Sequence, residues 1–301
     1  MKSDGFKPEL PARKIEKYNA SKIIRAIVSA LFEFEKAYIA LGASDFENYS
    51  VYKFRIEARK LLVRLIVFQG AFDPDVLQHH IVFLERLVAD TDALRQRALL
   101  DEELACIAAA YEEPDIARVQ ETLAFTLLKL KKQLKIAYRR ADYSAGLTAL
   151  WASVQQLRQN GIENEDALVD AALEKVRLWV RELNDFKKAH IEKPNAVQDQ
   201  RSMVRSARYA LEGMEDMISR RSLKTGAGLK EIQDQFGMLC DLNAHMRTLG
   251  AMAKDGPDTA LAYLCGICGG IMLILQKNAQ KQACAAWKDL KDTFITLEGM
   301  L

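Results

Sequence analysis

The sequence predicts an all-α protein. Apolar residues recur at intervals of three and four almost throughout, and no stretch alternates with period two for long enough to form a sheet. Gly and Pro together supply 21 of the 301 residues, about 7% against a usual share of about 12%. A chain with so few turn-forming residues is not a collagen, a disordered linker or a many-turned β-sandwich.

Prolines and glycines divide the chain into helices. Pro74, Pro114, Pro194 and Pro257 each stand where a helix can begin, and three of them have an acidic neighbour, which suits the helix dipole. Glycines supply several of the expected ends. The predicted helices cover residues 20–41, 48–69, 74–92, 95–111, 114–140, 144–160, 165–190, 195–221, 227–253, 257–278 and 280–299.

The second and eighth predicted helices share one pattern. Their apolar stripes have the same spacing and run through Val51, Phe54, Ala58, Leu61, Leu65 and Phe68, and through Val197, Gln200, Val204, Ala207, Leu211 and Met214. Arginines flank both stripes: Arg55 and Arg59 in the first helix, and Arg201, Arg205 and Arg208 in the second. The offset of 146 residues predicts an internal duplication into two similar helical halves.

Four segments resemble the signature helices of the CHAD family, the conserved histidine α-helical domain. VYKFRIEARKLL (51–62) and VQDQRSMVRSARYALE (197–212) resemble its two repeated arginine helices. LKEIQDQFGMLCDLNAHM (229–246) is similar to the helix that follows, through Gln233, Gly237, Asp241 and Asn243. LERLVADTDALRQ (84–96) resembles the first-half copy of that helix, with Asp92 at the aspartate position.

The resemblance implies a CHAD-like domain over residues 18–301, made of helical halves 18–160 and 165–301, after an N-terminal extension 1–17. It implies two pseudo-symmetric bundles around a basic cavity that binds inorganic polyphosphate or another phosphate-rich polyanion, without catalysis or a cofactor. It also implies a place at polyphosphate granules. The sequence departs from the family pattern at both signature histidines, where it has Tyr52 and Gln198, and at Leu62 and Ser206.

The first candidate site lies on the two arginine helices, because guanidinium groups offer paired donors to phosphate oxygens. The alternative for its arginines is burial in ion pairs with Asp92 or Asp241, which we expect to orient them. The lysines and Arg64 can equally form a solvated outer face. The candidate residues are Lys53, Arg55, Arg59, Lys60, Arg201, Arg205 and Arg208.

The second candidate site is the basic run KLKKQLKIAYRR (129–140), in a segment with no acid between Thr122 and Ala141. Stacked like charges repel, and a bound anion relieves that cost. A basic amphipathic helix also suits a membrane surface or nucleic acid, and a solvated helix neutralised by another helix's acids is the further alternative. The candidate phosphate ligands here are Lys131, Lys132, Lys135, Arg139 and Arg140.

Two apolar features carry no predicted chemistry. Thr259–Leu275 has no charge for 17 residues, and we expect a fully buried core helix and not a membrane span. Cys265 and Cys268 lie in it beside Gly266, Gly269 and Gly270, and we interpret these small residues as close helix packing and not as a metal site. Scattered cysteines and an N-terminus without an apolar leader predict a cytoplasmic protein.

The leading hypothesis is therefore non-catalytic binding of polyphosphate. The first alternative is a helical module that binds protein partners and whose arginines are consumed in internal salt bridges. The second is an enzyme acting on polyphosphate or a nucleotide, which the lack of metal-ligand carboxylate clusters disfavours. We expect no sequence-specific nucleic-acid partner, because no exposed aromatic platform is apparent.

Overall fold

A computed structural model describes residues 21–111, 115–187, 190–255 and 258–301. Within those ranges the chain forms eleven α-helices, one short 3-10 turn at Gln69–Ala71 and no strand. The extension predicted at 1–17 lies outside the described residues. The helices are α1 (Lys22–Ala43), α2 (Asn48–Val67), α3 (Pro74–Asp90), α4 (Asp92–Tyr111), α5 (Ile116–Tyr138), α6 (Ala141–Asn160), α7 (Glu165–Asp185), α8 (Pro194–Gly213), α9 (Arg220–Gly226), α10 (Gly228–Asp255) and α11 (Thr259–Met300).

Short polar side chains begin the helices where the sequence allows it. Asp73 accepts hydrogen bonds from the first backbone N–H groups of α3, directly before Pro74. Ser21, Asn164 and Asp258 do the same for α1, α7 and α11. Each cap satisfies donors that have no partner inside the helix. The predicted starts at Pro74 and Pro194 are confirmed, whereas Pro114 and Pro257 lie outside the described residues.

Two predicted boundaries are wrong. The helix expected over 195–221 ends at Gly213, and a separate short helix, α9, begins at Arg220. The helices expected over 257–278 and 280–299 are one continuous helix, α11. No Gly or Pro separates the two predicted segments, and Ala279 and Ala283 are buried where a break was expected. The helix therefore continues past residue 279, because its buried side packs on the core without interruption.

Helix α2 is the central element of the fold. It packs against α1, α3, α4, α7 and α8, while α10 packs along α11 and against α8 and α4. The predicted stripe of α2 is buried, with Phe54 and Leu61 at most 1% exposed. Val63 and Val67, on the opposite side of the helix, are buried too. Helix α2 is thus covered nearly all round, and the contact of α2 with α8 joins the two predicted halves.

The prediction of a fully buried Thr259–Leu275 helix is wrong. One stripe of this part of α11 is buried, but Tyr263 and Ile274 on its outer side are 70% and 60% exposed. Helix α11 is long and apolar enough to cross a membrane by length and composition, a test that core helices also pass. Its buried inner stripe is typical of a helix that packs on a protein core.

The glycines of α11 do not serve close packing. A Cβ atom added at Gly266, Gly269 or Gly270 would meet nothing within 4 Å, so the predicted close approach is wrong. Cys265 and Cys268 are buried on the inner stripe and form no disulfide with another described cysteine. Among the described residues, no group of three or more His, Cys, Asp and Glu side chains is placed to hold a metal ion.

A pair of glycine substitutions tests this packing. A Cβ at Gly146, inside α6, would lie 2.3 Å from the Phe83 ring, so Gly146→Ala forces that ring to move. We expect Gly146→Ala to lower the free energy of unfolding by about 1–3 kcal/mol. Gly266→Ala, with open space around it, should raise that free energy by up to about 1 kcal/mol through helix propensity. Urea unfolding followed by circular dichroism measures both, and equal effects would contradict the packing described.

Candidate functional site

Arg55, in the middle of α2, caps the C-terminal end of α3 with its side chain. Its side chain is buried, and Nη1 donates to the Val88 carbonyl at 2.7 Å and to Thr91 Oγ1 at 2.6 Å. Its Nη2 donates to Asp92 Oδ1 at the start of α4. The last carbonyls of a helix lack intrahelical partners and favour a cation. Arg55 therefore fixes the corner between α3 and α4.

The same pairing recurs between α8 and α10. Arg201 Nη1 donates to Asp241 Oδ1 at 3.2 Å. A Cβ at Gly237, one turn before Asp241, would lie 3.3 Å from Arg201 Nη2, so the glycine leaves room for the guanidinium. The prediction that Asp92 and Asp241 lie beside basic groups is confirmed. The duplication of the two halves stays a prediction.

One turn further along each helix, Arg59 and Arg205 have weaker partners. Arg59 Nη2 lies 3.9 Å from Asp92 Oδ1, at the limit of an ion pair. Arg205 Nη2 donates to Ser202 Oγ at 3.3 Å. The four guanidiniums are thus matched by two carboxylates, Asp92 and Asp241, among the described ion pairs. Two positive charges remain without a matching carboxylate in this cluster.

Electrostatics place the arginines of α2 and α8 against each other. Burial first, and then the neighbouring Arg55 and Arg205 guanidiniums, together lower the pKa of Arg59 to about 9. Burial also lowers the pKa of Arg205, with Arg201 as the next cause. All these groups carry their charge at neutral pH. The repulsion between them is therefore a cost that a bound anion would remove.

Tyr209 lies beneath two further cations of the candidate set. Its ring is buried, and the Arg208 guanidinium lies 4.8 Å and the Lys60 ammonium 5.9 Å from the ring centroid. Arg208 Nε is also 3.4 Å from Glu212 Oε1. A cation over an aromatic face is attracted by the ring quadrupole. Tyr209 thus supports the edge of the cluster from within the core.

Glu57, which the sequence reasoning missed, accounts for two candidate lysines. Its carboxylate is buried and lies 2.9 Å from Lys53 Nζ and 3.6 Å from Lys60 Nζ. The signal was available, since Lys53 and Lys60 stand four residues before and three residues after Glu57, the spacings of helical ion pairs. These lysines compensate a buried acid.

Arg64 does not lie on a solvated outer face, so that expectation is wrong. Its Nη1 donates to the Ala26 carbonyl of α1 at 3.0 Å. A Cβ at Gly213 of α8 would lie 2.8 Å from Arg64 Nε. Because neighbouring helices cover α2 on almost every side, Arg64 bridges α1 and α8.

The positions of the two missing histidines are both exposed, each at the fifth residue of its helix. Tyr52 on α2 is 43% exposed, and the Arg95 guanidinium lies 5.2 Å from its ring centroid. Gln198 on α8 is also exposed. A buried histidine, His245, follows Asp241 by one turn of α10, and burial lowers its pKa. Sequence reasoning did not single out His245.

The second basic region lies on α5, which packs against α4 and α11. Lys135 Nζ lies 2.5 Å from Asp45 in the loop between α1 and α2, and this contact lowers the pKa of Asp45. Lys131 is half-buried, whereas Lys132, Arg139 and Arg140 are exposed. The two candidate regions therefore have different packing partners, and the structure describes no ion pair that joins them.

Comparison with known proteins agrees with this architecture. The model of the CHAD domain family matches residues 22–250. The chain is similar to the crystal structure of the CHAD domain from the plant Ricinus communis, with a TM-score of 0.73 and 15% identity over 89% of this chain and 92% of that one. It is also similar to PptA from Streptomyces chartreusis, with a TM-score of 0.67 and 15% identity over 89% of this chain and 98% of that one.

A search of curated proteins finds no match to this chain. At 15% identity, the two structural likenesses establish the all-α fold alone. The family model rests on the sequence and spans well over half of the chain, including both arginine helices and the helix of Asp241. The chain therefore belongs to the CHAD family.

Proposed function

We propose that the protein binds inorganic polyphosphate or a similar phosphate-rich polyanion, without catalysis, at the arginine cluster between α2 and α8. The observation that carries this proposal is the excess of positive charge: Arg55, Arg59, Arg201 and Arg205 against Asp92 and Asp241. Some members of the CHAD family bind polyphosphate, which supports the ligand class. A polyphosphate ligand would place the protein in the cytoplasm, at polyphosphate-rich bodies.

The four arginines have two different roles in this proposal. Arg55 and Arg201 already donate to Asp92 and Asp241, so they hold the helices in place. Arg59 and Arg205 have donors left over, and we assign them to consecutive phosphate groups of the ligand. Paired guanidinium donors match phosphate oxygens bidentately. The cluster requires neither of the family histidines, whose positions Tyr52 and Gln198 occupy.

A protein-binding module is the second candidate function, and one observation favours it. In such a module the arginines would serve only in internal ion pairs, and Arg55 and Arg201 do form ion pairs with Asp92 and Asp241. Arg59 and Arg205 distinguish the two candidates, because a module without a polyanion ligand has no use for their unmatched charge. The bases of α5 form a second region that a long polyphosphate chain would reach only as an extension.

Removing the two ligand arginines tests the proposal. Arg59→Gln/Arg205→Gln keeps polar bulk and removes two charges that make no close ion pair. We expect weaker binding of long-chain polyphosphate and a shallower salt dependence of log affinity. By analogy with single strands, the slope should fall by about 0.7 for each phosphate group that the variant no longer binds. Calorimetric titration at several salt concentrations measures both quantities.

The control variant for this titration is Lys288→Gln/Lys291→Gln, which removes the same charge from exposed positions on α11 that have Asp289 and Asp292 beside them. It should bind as the wild type does. Absence of saturable binding by the wild type at low salt would give the lead to the protein-binding module. Unchanged affinity of the arginine variant would move the site elsewhere.

The lowered pKa of Arg59 gives a pH prediction. Bound phosphate should raise this pKa above its free-protein value of about 9, so binding is strongest below pH 9 and weakens as the free protein loses the proton above it. Tripolyphosphate should therefore raise the melting temperature more at neutral pH than above pH 9. Thermal unfolding with and without tripolyphosphate measures this difference. In Arg59→Gln, the increase in melting temperature should be the same at neutral pH and above pH 9. An equal change in both proteins would contradict the role of Arg59.

The lowered pKa of Arg59 also makes the stability of the ligand-free protein depend on pH. Between about pH 9 and the usual arginine pKa, the unfolded chain binds more protons at Arg59 than the folded chain does. The contribution of Arg59 to the free energy of unfolding therefore rises with pH in that window.

A further inference from the structure

The outer side of α5 carries bulky apolar and basic side chains in a single stripe. Phe125, Leu128, Lys132 and Ile136 follow one another at intervals of three and four residues and so share one face, and Arg139, the C-cap residue of α5, continues this spacing in helical backbone conformation. Phe125, Leu128 and Ile136 are 74%, 67% and 55% exposed. The opposite stripe of α5 is buried in the core, so the exposed stripe is not needed for folding. We refer to these five residues as the α5 outer stripe.

The charged residues of this segment all have one sign. Residues 122–140 contain six bases and no acid. In the part of the chain that the structure describes, Lys135 is the base of this run with a carboxylate within 4.0 Å, that of Asp45. Lys132 and Arg139, within the stripe itself, are exposed and form no ion pair within 4.0 Å among the described residues, although Arg139 lies in electrostatic range of Asp45.

Helix α11, which packs against α5, also exposes apolar side chains. The two helices pack together, and Arg118 near the start of α5 forms an ion pair with Asp258 at the start of α11. The outer side of α11 exposes Tyr263, Leu273 and Ile274. Two helices that pack together therefore each carry several exposed apolar side chains, and clustered exposed apolar side chains are typical of an interaction surface.

The mixture of basic and exposed apolar side chains determines which kind of partner can bind this surface. A polyphosphate chain in water would bind the bases and leave Phe125 and Leu128 in water. A second copy of this chain, packed through the same face, would bring two positively charged stripes together, and like charges repel. The interface of an anionic bilayer accepts both kinds of side chain, because basic groups contact the headgroups while apolar groups enter the acyl boundary.

From these contacts we infer that the α5 outer stripe and the adjoining side of α11 dock on the surface of an anionic lipid bilayer. The protein lies on the membrane in this arrangement, with its inner stripes still packed in the core. The inference uses different residues from the arginine cluster and does not depend on polyphosphate binding.

Co-sedimentation of the full chain with lipid vesicles tests this inference. The vesicles contain phosphatidylcholine alone or phosphatidylcholine with a minor fraction of phosphatidylserine. We expect binding to the phosphatidylserine vesicles that weakens with salt, and little binding to neutral ones. Each base near an anionic surface contributes about fivefold, so Lys132→Gln/Arg139→Gln should lower the partition coefficient by about thirtyfold.

A second variant examines the apolar part of the stripe. Phe125→Ser/Leu128→Ser keeps every charge and should lower the partition coefficient by about tenfold or more, because both side chains lose their transfer out of water. Arg220→Gln/Arg221→Gln, which removes the same charge from exposed positions on α9, is the matched control and should bind as the wild type does. Circular dichroism establishes that each variant is folded, which we expect because all four altered α5 residues face solvent.

Several outcomes would overturn the inference. Wild type that does not bind the phosphatidylserine vesicles excludes a lipid surface. A Phe125→Ser/Leu128→Ser variant that binds like the wild type reduces the effect to attraction between charges. If vesicle binding is absent and the stripe variants lose polyphosphate affinity, α5 is an extension of the polyanion site. If vesicle binding is absent and the apolar variant dissociates a dimer in analytical ultracentrifugation, the occupant is a second copy.

Discussion

Two partly buried arginine–aspartate contacts hold the rest of the site in position. Arg55 joins α2 to the α3–α4 corner, and Arg201 joins α8 to α10, across the glycine that makes room for it. A buried guanidinium without partners would be costly, so each of these arginines fixes where its aspartate helix must lie. Since α2 and α8 also pack directly on each other, the next arginines along both helices face one another.

The functional consequence is an excess of positive charge at Arg59 and Arg205 that no nearby carboxylate among the described residues neutralises. Arg59 and Arg205 lie one turn beyond the paired arginines, where their guanidiniums are largely removed from water but lack close carboxylates. Such groups lower the stability of the free protein and raise its affinity for anions, because a ligand supplies the charge that the chain omits. The paired arginines give rigidity and the unmatched ones give affinity, within the same four-residue repeat.

The sequence predicts the helices and the core stripes of α2 and α8 because a 3.6-residue period determines which side chains share a face. It also predicts the partners of Asp92 and Asp241, through the resemblance to a family whose membership is confirmed. The sequence does not predict which neighbouring helices cover each face of a helix. Arg64 belongs to the expected solvated face in the sequence, yet it lies between α1 and α8 because α2 has neighbours on nearly all sides. Conversely, α11 is apolar enough for a core helix, but the chain provides neighbours for one side of it.

The most direct measurement is a crystal structure of the protein with tripolyphosphate. We expect phosphate oxygens between α2 and α8, within hydrogen-bond distance of both Arg59 and Arg205, while Arg55 and Arg201 keep their bonds to Asp92 and Asp241. Tripolyphosphate bound only along α5, with nothing between Arg59 and Arg205, would contradict it.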